Sequence, residues 1–192
     1  AAVVTRRIGR VSARLPISWP LDAGQLPRPV IPGTGTPPTT PVNVDYNIEG
    51  ANIGYRWYAH QGTAPRYWFG HGLSYTHFAY ANLTVTGGKA LSARVTVTNS
   101  GKRAGKDVVQ LYLTGLPSGP ARRLLGFTKV DLAPGQSKQI TLNADPRLLA
   151  RFDEKAQVWK VAAGRYRVGI GADAGTMLLS ADVTMAPLRI KP

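Results

Sequence analysis

From about residue 78 onward, the chain carries short apolar stretches with a two-residue period, and this pattern constrains its fold more than any other feature. In residues 91–98, Leu, Ala and two Val alternate with Ser, Arg and two Thr, which is typical of a strand with one buried face. The stretch ends at the turn sequence Asn99-Ser100-Gly101. With an entry strand at 80–86, the same pattern predicts seven or eight short strands, the others at 109–113, 124–132, 137–143, 157–161, 165–172 and 177–185.

One helical signal interrupts the predicted strands. Asp145 is a typical N-cap residue and Pro146 follows it at the first helical position, which predicts a single helical turn over 145–149 that bridges two sheets. Several short strands with turns between them indicate an all-β fold. We therefore expect an immunoglobulin or fibronectin type III-like antiparallel β-sandwich.

The first part of the chain is rich in proline and aromatic residues and shows no regular period. Residues 16–41 contain 8 of the 15 prolines, a density that excludes a helix or a central strand, so we expect an extended linker or a strap lying on another surface. Residues 46–80 contain 10 of the 16 aromatic residues, interleaved with glycines. This stretch is predicted to be irregular and to pack by its rings.

The composition excludes several kinds of site. The chain has no cysteine, which rules out disulfides, thiolate nucleophiles and cysteine-ligated zinc. It has no apolar run of the ~18 residues that cross a bilayer, and no apolar stretch long enough for a signal-peptide core near its start. We therefore expect no membrane partner and no signal peptide in this chain. Because it begins with Ala, we expect a mature product or a piece of a longer protein.

The chain is strongly basic, with a formal net charge of +14, which favours an anionic partner. Most of the excess lies in residues 83–192, which contain 17 basic and 7 acidic residues. Nucleic acid is not the expected partner, because no dense basic run is present. One hypothesis is a basic β-sandwich that binds an anionic polymer or a glycan through the cations at outward or turn positions, and a solvated surface is the alternative; these cations are Arg94, Lys102, Arg103 and Lys106.

The acidic residues offer little for glycoside hydrolysis, which needs two carboxylates facing across a cleft. Asp45 and Glu49 lie four residues apart beside the aromatic stretch, but the nearby prolines argue against a shared helix face. Loop acids or ion-pair partners are the simpler interpretation. Asp153 and Glu154 are adjacent and are expected at the surface, so no catalytic carboxylate is assigned.

The three histidines and Ser74 are the remaining candidates for a metal site or a catalytic nucleophile. His60, His71 and His77 lack the spacing of a metal site, so neither a metal nor another cofactor is predicted. Gly72 lies two residues before Ser74, as in the nucleophile motif Gly-x-Ser-x-Gly, but the residue two positions after Ser74 is Thr76 and not glycine. A small serine esterase that uses Ser74 with His71 or His77 is therefore kept only as a weaker hypothesis.

The aromatic stretch has two interpretations. Exposed rings such as Trp57, Tyr58, Tyr67 and Trp68 would stack on sugars or bases, whereas buried rings would cover a neighbouring surface. Because burial of a large ring contributes roughly 1.5–3 kcal/mol, we expect most of the ten aromatic residues to cover a surface.

Ordered sequence blocks give the chain a resemblance over about residues 11–185. The blocks before the strands are Leu15-Pro16-Ile17-Ser18-Trp19-Pro20, Gly24-Gln25-Leu26-Pro27, Glu49-Gly50, Gly54-Tyr55-Arg56-Trp57-Tyr58 and Phe69-Gly70-His71-Gly72-Leu73-Ser74-Tyr75-Thr76. Those within the strands are Thr98-Asn99-Ser100-Gly101, Val108-Val109-Gln110-Leu111-Tyr112, Leu125-Gly126-Phe127-Thr128-Lys129-Val130, Leu132-Ala133-Pro134-Gly135 and Gly164-Arg165-Tyr166. Together they resemble the C-terminal third of family 3 glycoside hydrolases, chiefly bacterial β-glucosidases, with its fibronectin type III-like domain.

The resemblance implies three stretches: 1–20 as the remnant edge of an upstream α/β domain, 21–77 as a linker or strap, and 78–192 as the fibronectin type III-like β-sandwich. In this family a barrel domain supplies a catalytic Asp and the α/β domain supplies an acid/base Glu. Both would lie upstream of residue 1, and nothing in this chain matches either motif. The expected partners are these upstream catalytic domains, on the same or a separate chain, with a polysaccharide as a further candidate.

The leading hypothesis is therefore a non-catalytic C-terminal fragment of a β-glucosidase-like glycoside hydrolase that supports the catalytic domains. The resemblance also implies a periplasmic or secreted location. Trp57, Tyr58 and Trp68 are the candidates for the rim of the substrate entrance.

Overall fold

The computed structural model describes residues 13–45 and 47–192. Most of the stretch interpreted as the remnant edge of an upstream domain, 1–20, lies outside the described residues, as does Tyr46. The described residues form ten β-strands, one α-helix and two short 3₁₀ turns. None of the described helices is long and apolar enough to cross a bilayer.

Two antiparallel sheets make up the sandwich. The three-stranded sheet has the order β1-β2-β5, with bounds β1 (Phe78–Thr86), β2 (Leu91–Asn99) and β5 (Ser137–Ala144). The four-stranded sheet has the order β4-β3-β8-β9, with bounds β3 (Gly105–Leu116), β4 (Gly119–Leu132), β8 (Gly164–Gly171) and β9 (Met177–Met185). A third, small sheet has the order β10-β7-β6, with bounds β6 (Arg151–Asp153), β7 (Val158–Val161) and β10 (Leu188–Ile190).

The predicted all-β, fibronectin type III-like sandwich is confirmed, and each predicted strand has a counterpart. Strands β6 and β10 were not predicted, because three residues are too few to show a two-residue period. Strand β4 begins at Gly119, five residues before the predicted start. It tolerates Pro120 because it is the edge strand of its sheet, where a missing amide breaks no ladder.

The predicted helical turn is a 3₁₀ turn at Pro146–Leu149, between β5 and β6. The Asp145 side chain accepts a hydrogen bond from the amide of Arg147 at 2.9 Å, as an N-cap should. Leu149 is buried in the sandwich core. The turn therefore connects β5 to β6 and is also anchored in the core by packing.

The core lies between the two larger sheets and is filled by the alternating residues of the central strands. Leu111 on β3 is completely buried, and the inward positions of β2 and β8 are buried with it. The outward residues of β2 are less buried, which matches the two-residue period of the sequence.

A polar cluster closes one end of this core. Asp107 on β3 is only 3% exposed, and its carboxylate accepts hydrogen bonds from Tyr80 Oη at 2.5 Å and from the amide of Val108 at 2.8 Å. The guanidinium of Arg14 pairs with Asp107 Oδ1, the oxygen that also accepts from Val108, whereas Tyr80 donates to Oδ2. Because the buried carboxylate has both a cation and hydrogen-bond donors, its burial is compatible with a stable fold.

We expect Leu111→Ala to lower the free energy of unfolding of this chain by about 2–5 kcal/mol, because it leaves a cavity in a fully buried position. The measurement is urea unfolding followed by circular dichroism. Leu178→Ala on β9 is the matched control, since Leu178 is 45% exposed and should change stability by less than about 1 kcal/mol. Equal losses for the two variants would contradict the assigned core.

Tyr80 makes the stability of the fold sensitive to alkali. Burial and the neighbouring Asp107 carboxylate raise the pKa of Tyr80 above its ordinary value, so the folded chain keeps this proton when the unfolded chain loses it. The contribution of Tyr80 is therefore fully present below about pH 10 and is lost as the pH rises beyond it, by up to ~1.4 kcal/mol per pH unit.

Urea unfolding between about pH 8 and 11.5 tests this expectation. Stability should fall more steeply above pH 10 in the unmodified chain than in Tyr80→Phe. Tyr75→Phe, at an exposed position of the chain, should keep the steep fall. A Tyr80→Phe profile as steep as that of the unmodified chain would contradict the buried tyrosine–carboxylate pair.

Candidate functional site

Residues 55–70, within the stretch 21–77 that the sequence predicts to be a strap, lie against the outer face of the four-stranded sheet. Gln110 and Tyr112 on β3 alternate with core residues and therefore point toward the strap. Gln110 Nε2 donates hydrogen bonds to Gly70 O at 3.2 Å and Ala172 O at 3.1 Å, and Tyr112 Oη donates to Gln110 Oε1 at 2.7 Å. Buried hydrogen bonds thus fix the strap to the sandwich.

Residues 15–19 run antiparallel to 67–71 and hold the end of the strap in place. The amide of Leu15 donates to His71 O at 2.8 Å, and the amide of Gly70 donates to Leu15 O at 2.8 Å. The amide of Trp19 donates to Tyr67 O at 2.7 Å, and the amide of Tyr67 donates to Trp19 O at 3.2 Å. The described part of 1–20 is therefore tied to the strap by a two-stranded ladder.

The strap contains one α-helix, α1 (Tyr55–Gln61), where the sequence predicted only irregular structure. Gly54 and Gly62 flank it with φ of 62° and 67°, so each end is set by a residue that tolerates positive φ. Tyr55 and Tyr58 are three residues apart and lie on one helix face. Flanking glycines with this spacing were the available signal, but seven residues are too few for a sustained helical period.

Helix α1 packs its aromatic face on the sandwich. Tyr55 Oη accepts a hydrogen bond from the amide of Leu124 at 2.9 Å, and its ring lies 5.0 Å from the ring of Phe69 and 6.3 Å from that of Tyr112. These contacts confirm the expectation that rings of the aromatic stretch cover a neighbouring surface.

The three rim candidates occupy different environments. Tyr58 is 4% exposed and meets Trp68 edge to face, with ring centroids 6.3 Å apart. Trp68 is half-buried and packs over Gly175, where a Cβ would lie 2.2 Å from the indole Nε1. Trp57 is also half-buried. Trp57 and Tyr58 border a cavity of about 390 Å³ with Pro16, Ile17, Ser18, Leu26, Pro27, Glu49, Ile53, Gly54, Tyr55 and Phe69.

The carboxylates considered for catalysis lie in ordinary surface settings. Asp45 accepts a hydrogen bond from the amide of Asn47 at 2.8 Å, and Asp45 and Glu49 both border a surface groove of about 280 Å³. Asp153 pairs with Lys160 and accepts from the amide of Ala156 at 2.9 Å. The Lys160 ammonium holds the pKa of Asp153 below its ordinary value, as expected of a surface ion pair.

The described contacts of the histidines and of Ser74 are made with other groups. His60 is exposed on α1, and His77 is exposed just before β1. His71 stacks on Tyr67 with centroids 4.9 Å apart, and its Nδ1 lies 3.6 Å from Asp173 Oδ2. Ser74 Oγ accepts a hydrogen bond from the amide of Thr76 at 3.3 Å, and no described histidine bonds to it. Within the described ranges, no three His, Asp or Glu side chains converge in a metal-binding group.

The cations proposed for a basic binding surface are divided between the two sheets. Arg94 points outward from β2, whereas Lys106 lies on β3 with its Nζ 3.9 Å from Asp131 Oδ2. Lys102 and Arg103 are exposed in the turn before β3. These positions do not favour the hypothesis of a single basic binding surface.

Exposed apolar side chains are concentrated in and just before the strap. Of the fifteen large hydrophobic residues that are exposed in the described ranges, three lie in the sandwich, namely Phe127, Phe152 and Leu178. The other twelve are Ile17, Trp19, Leu21, Leu26, Val30, Ile31, Val42, Ile48, Ile53, Tyr67, Leu73 and Tyr75. An apolar surface of this kind is characteristic of a protein interface.

The junction at Gly70 should be the position most sensitive to substitution in the strap. A Cβ at Gly70 would lie 2.0 Å from Gln110 Oε1, and its φ is +83°. Gly35 has nearly the same φ, +81°, but open space around it. We expect Gly70→Ala to lower the melting temperature clearly more than Gly35→Ala, and to increase protease cleavage within the strap. Equal effects of the two substitutions would show that only the backbone conformation matters.

Comparison with known proteins shows which domain and which family this chain resembles. A family model for the fibronectin type III-like domain matches residues 107–174. The thermostable β-glucosidase B of Acetivibrio thermocellus is 37% identical over an alignment of 148 positions, which covers 73% of this chain and 20% of that protein. The chain thus spans about a fifth of the length of this curated relative.

Solved structures give the same result. β-Glucosidase 3B of Thermotoga neapolitana, determined in complex with glucose, matches with a TM-score of 0.85 and 37% identity, covering 100% of this chain and 27% of that one. The GH3 β-glucosidase of Bifidobacterium adolescentis matches with a TM-score of 0.79 and 33% identity, covering 93% of this chain and 26% of that one. The chain therefore corresponds to the C-terminal part of a family 3 glycoside hydrolase, including its fibronectin type III-like domain.

Proposed function

We propose that this chain is a non-catalytic part of a β-glucosidase-like enzyme and that it supports the catalytic domains by packing its strap against them. The observation that carries the proposal is the asymmetry of the exposed apolar surface, which is concentrated in residues 17–75. Burying a large apolar side chain contributes roughly 1.5–3 kcal/mol, so this surface favours a protein partner over water. The relatives' additional length is where that partner would lie, on the same or a separate chain.

The geometry also favours a scaffold over a hydrolase. The four acids considered for catalysis are two loop residues beside a small groove and two neighbours at the surface. The strap, by contrast, is held firmly on the sandwich. Residues 15–19 form backbone hydrogen bonds with 67–71, and Gln110 forms a buried hydrogen bond with Gly70 O. A strap held on both sides presents its outer surface to a partner without a large loss of conformational entropy.

A role at the rim of the substrate entrance belongs to the same proposal. Trp57 borders the cavity of about 390 Å³, and it is the rim candidate that combines partial exposure with a neighbouring cavity. Tyr58 and Trp68 would act by fixing α1 beside it, since they pack against each other. Polysaccharide as the molecule at this rim, and a periplasmic or secreted location, are parts of the proposal that rest on the family resemblance.

A chimera tests the supporting role. The corresponding segment of Thermotoga neapolitana β-glucosidase 3B, about 27% of that protein, is replaced by this chain. We expect the chimera to be soluble and to hydrolyse an aryl β-glucoside, a deletion of the segment to be insoluble or inactive, and this chain alone to give no turnover. Turnover by the purified chain alone, or full activity of the deletion, would contradict the proposal.

A pair of charge substitutions locates the interface in the same chimera. Leu73→Asp lies on the strap and Phe127→Asp on the sandwich, and both positions are strongly exposed in this chain. Leu73→Asp should lower the melting temperature of the chimera but leave that of the isolated chain nearly unchanged, because it places a charge in the interface only. Phe127→Asp should leave both unchanged.

A further inference from the structure

A cavity of about 420 Å³ lies between helix α1 and the start of strand β4. Its lining includes the polar side chains of Asn52 and Thr114 and the basic side chains of Arg56, His60 and Arg122. No Asp or Glu of the described residues lines it. The cavity is therefore polar, cationic and without an acidic partner from the described part of this chain.

Arg122 is the unusual member of this group. Its Nε and Nη1 atoms are buried and have no hydrogen-bond partner among residues 13–45 and 47–192. The neighbouring Arg123 is well satisfied by comparison, because its Nη1 donates to Leu148 O at 2.6 Å and to Ala150 O at 3.2 Å. A buried donor without a partner is destabilising, and more so when the group is charged.

The charge of Arg122 is also poorly balanced. Burial lowers its pKa, and Asp173 is the carboxylate whose charge acts on it. That carboxylate is already engaged, since its Oδ1 accepts from the amides of Gly175 at 3.0 Å and Thr176 at 2.8 Å. Burial also lowers the pKa of the neighbouring Arg123, and repulsion by Arg56 and Arg151 lowers it further. The partly enclosed cavity is thus lined by the cations Arg56 and Arg122, and its surroundings carry an excess of positive charge.

We propose that this cavity receives an Asp or Glu side chain from the part of the enzyme that lies outside this chain. A carboxylate matches the planar donor pattern of an arginine and would pair with Arg122 and Arg56. A protein source fits the surroundings, because Ile53, next to the cavity residue Asn52, is one of the exposed apolar residues of the proposed interface. The inference rests on the proposed function and adds to it a specific polar contact within the apolar docking surface.

The first test uses this chain alone. Arg122→Met should raise its melting temperature by about 2 °C or more, because it removes a partly buried cation whose buried Nε and Nη1 have no partner among the described residues. Arg94→Met on the exposed side of β2 should change the melting temperature little. Sodium acetate, compared with sodium chloride at equal ionic strength, should raise the melting temperature of the unmodified chain by about 3–5 °C at ten times its Kd, and should not affect Arg122→Met. A lower melting temperature for Arg122→Met, or an equal acetate response in both, would overturn the inference.

The second test uses the chimera with the catalytic part of Thermotoga neapolitana β-glucosidase 3B. There the effect of Arg122→Met should change sign and lower the melting temperature, and acetate should no longer stabilise, because a protein carboxylate fills the cavity. Stabilisation of the chimera by inorganic phosphate or acetate to the same extent as the isolated chain would identify a site for small anions and overturn the proposed protein source.

The two proposals fail in different ways. A chimera that does not fold contradicts the supporting role and with it the protein source of the carboxylate, whereas the acetate response of the isolated chain reports on the cavity by itself. A chimera that folds while Arg122→Met leaves its melting temperature unchanged keeps the supporting role and removes the carboxylate contact.

Discussion

The contact between the strap and the outer face of the four-stranded sheet is the interaction on which the rest of the structure depends. An antiparallel sheet has one face toward the core and one toward solvent, and here Gln110 and Tyr112 stand on the solvent side of β3. Both are nevertheless buried, because the strap covers them and Gly70 O accepts from Gln110. Buried polar side chains need partners, so the sheet and the strap fix each other.

A second link, close to the first, attaches the beginning of the described chain to the sandwich, since Arg14 and Gln110 both donate to Ala172 O. Arg14 pairs with Asp107, which also accepts a hydrogen bond from Tyr80. The Nη1 atom of Arg14 donates to Gly72 O at 3.2 Å. One guanidinium thus joins the sandwich core to the end of the strap. Residues 14–19 and 55–72 are thereby fixed to the sandwich, and the exposed apolar side chains in and around them face solvent in this chain, where the proposed catalytic partner would bind.

The sandwich could be predicted from the amino-acid sequence. Strand positions follow from alternation, because each strand has one face in a dry core and one face outside it, and turn residues at Asn99-Ser100-Gly101 and Pro134-Gly135 mark where strands end. The motifs of residues 11–185 also determined the family. Both kinds of information are local, which is why they could be recovered without coordinates.

How the strap packs became visible only when its contacts in the folded chain were known. Helix α1 is too short to show a period, and the burial of Tyr58 depends on Trp68, ten residues away in sequence but in contact in the fold. The cavity at Arg122 unites residues 52–60 with 114–122, a proximity that no spacing rule encodes. Local pattern determines strands and turns, whereas burial, charge balance and exposed surface depend on which distant segments meet.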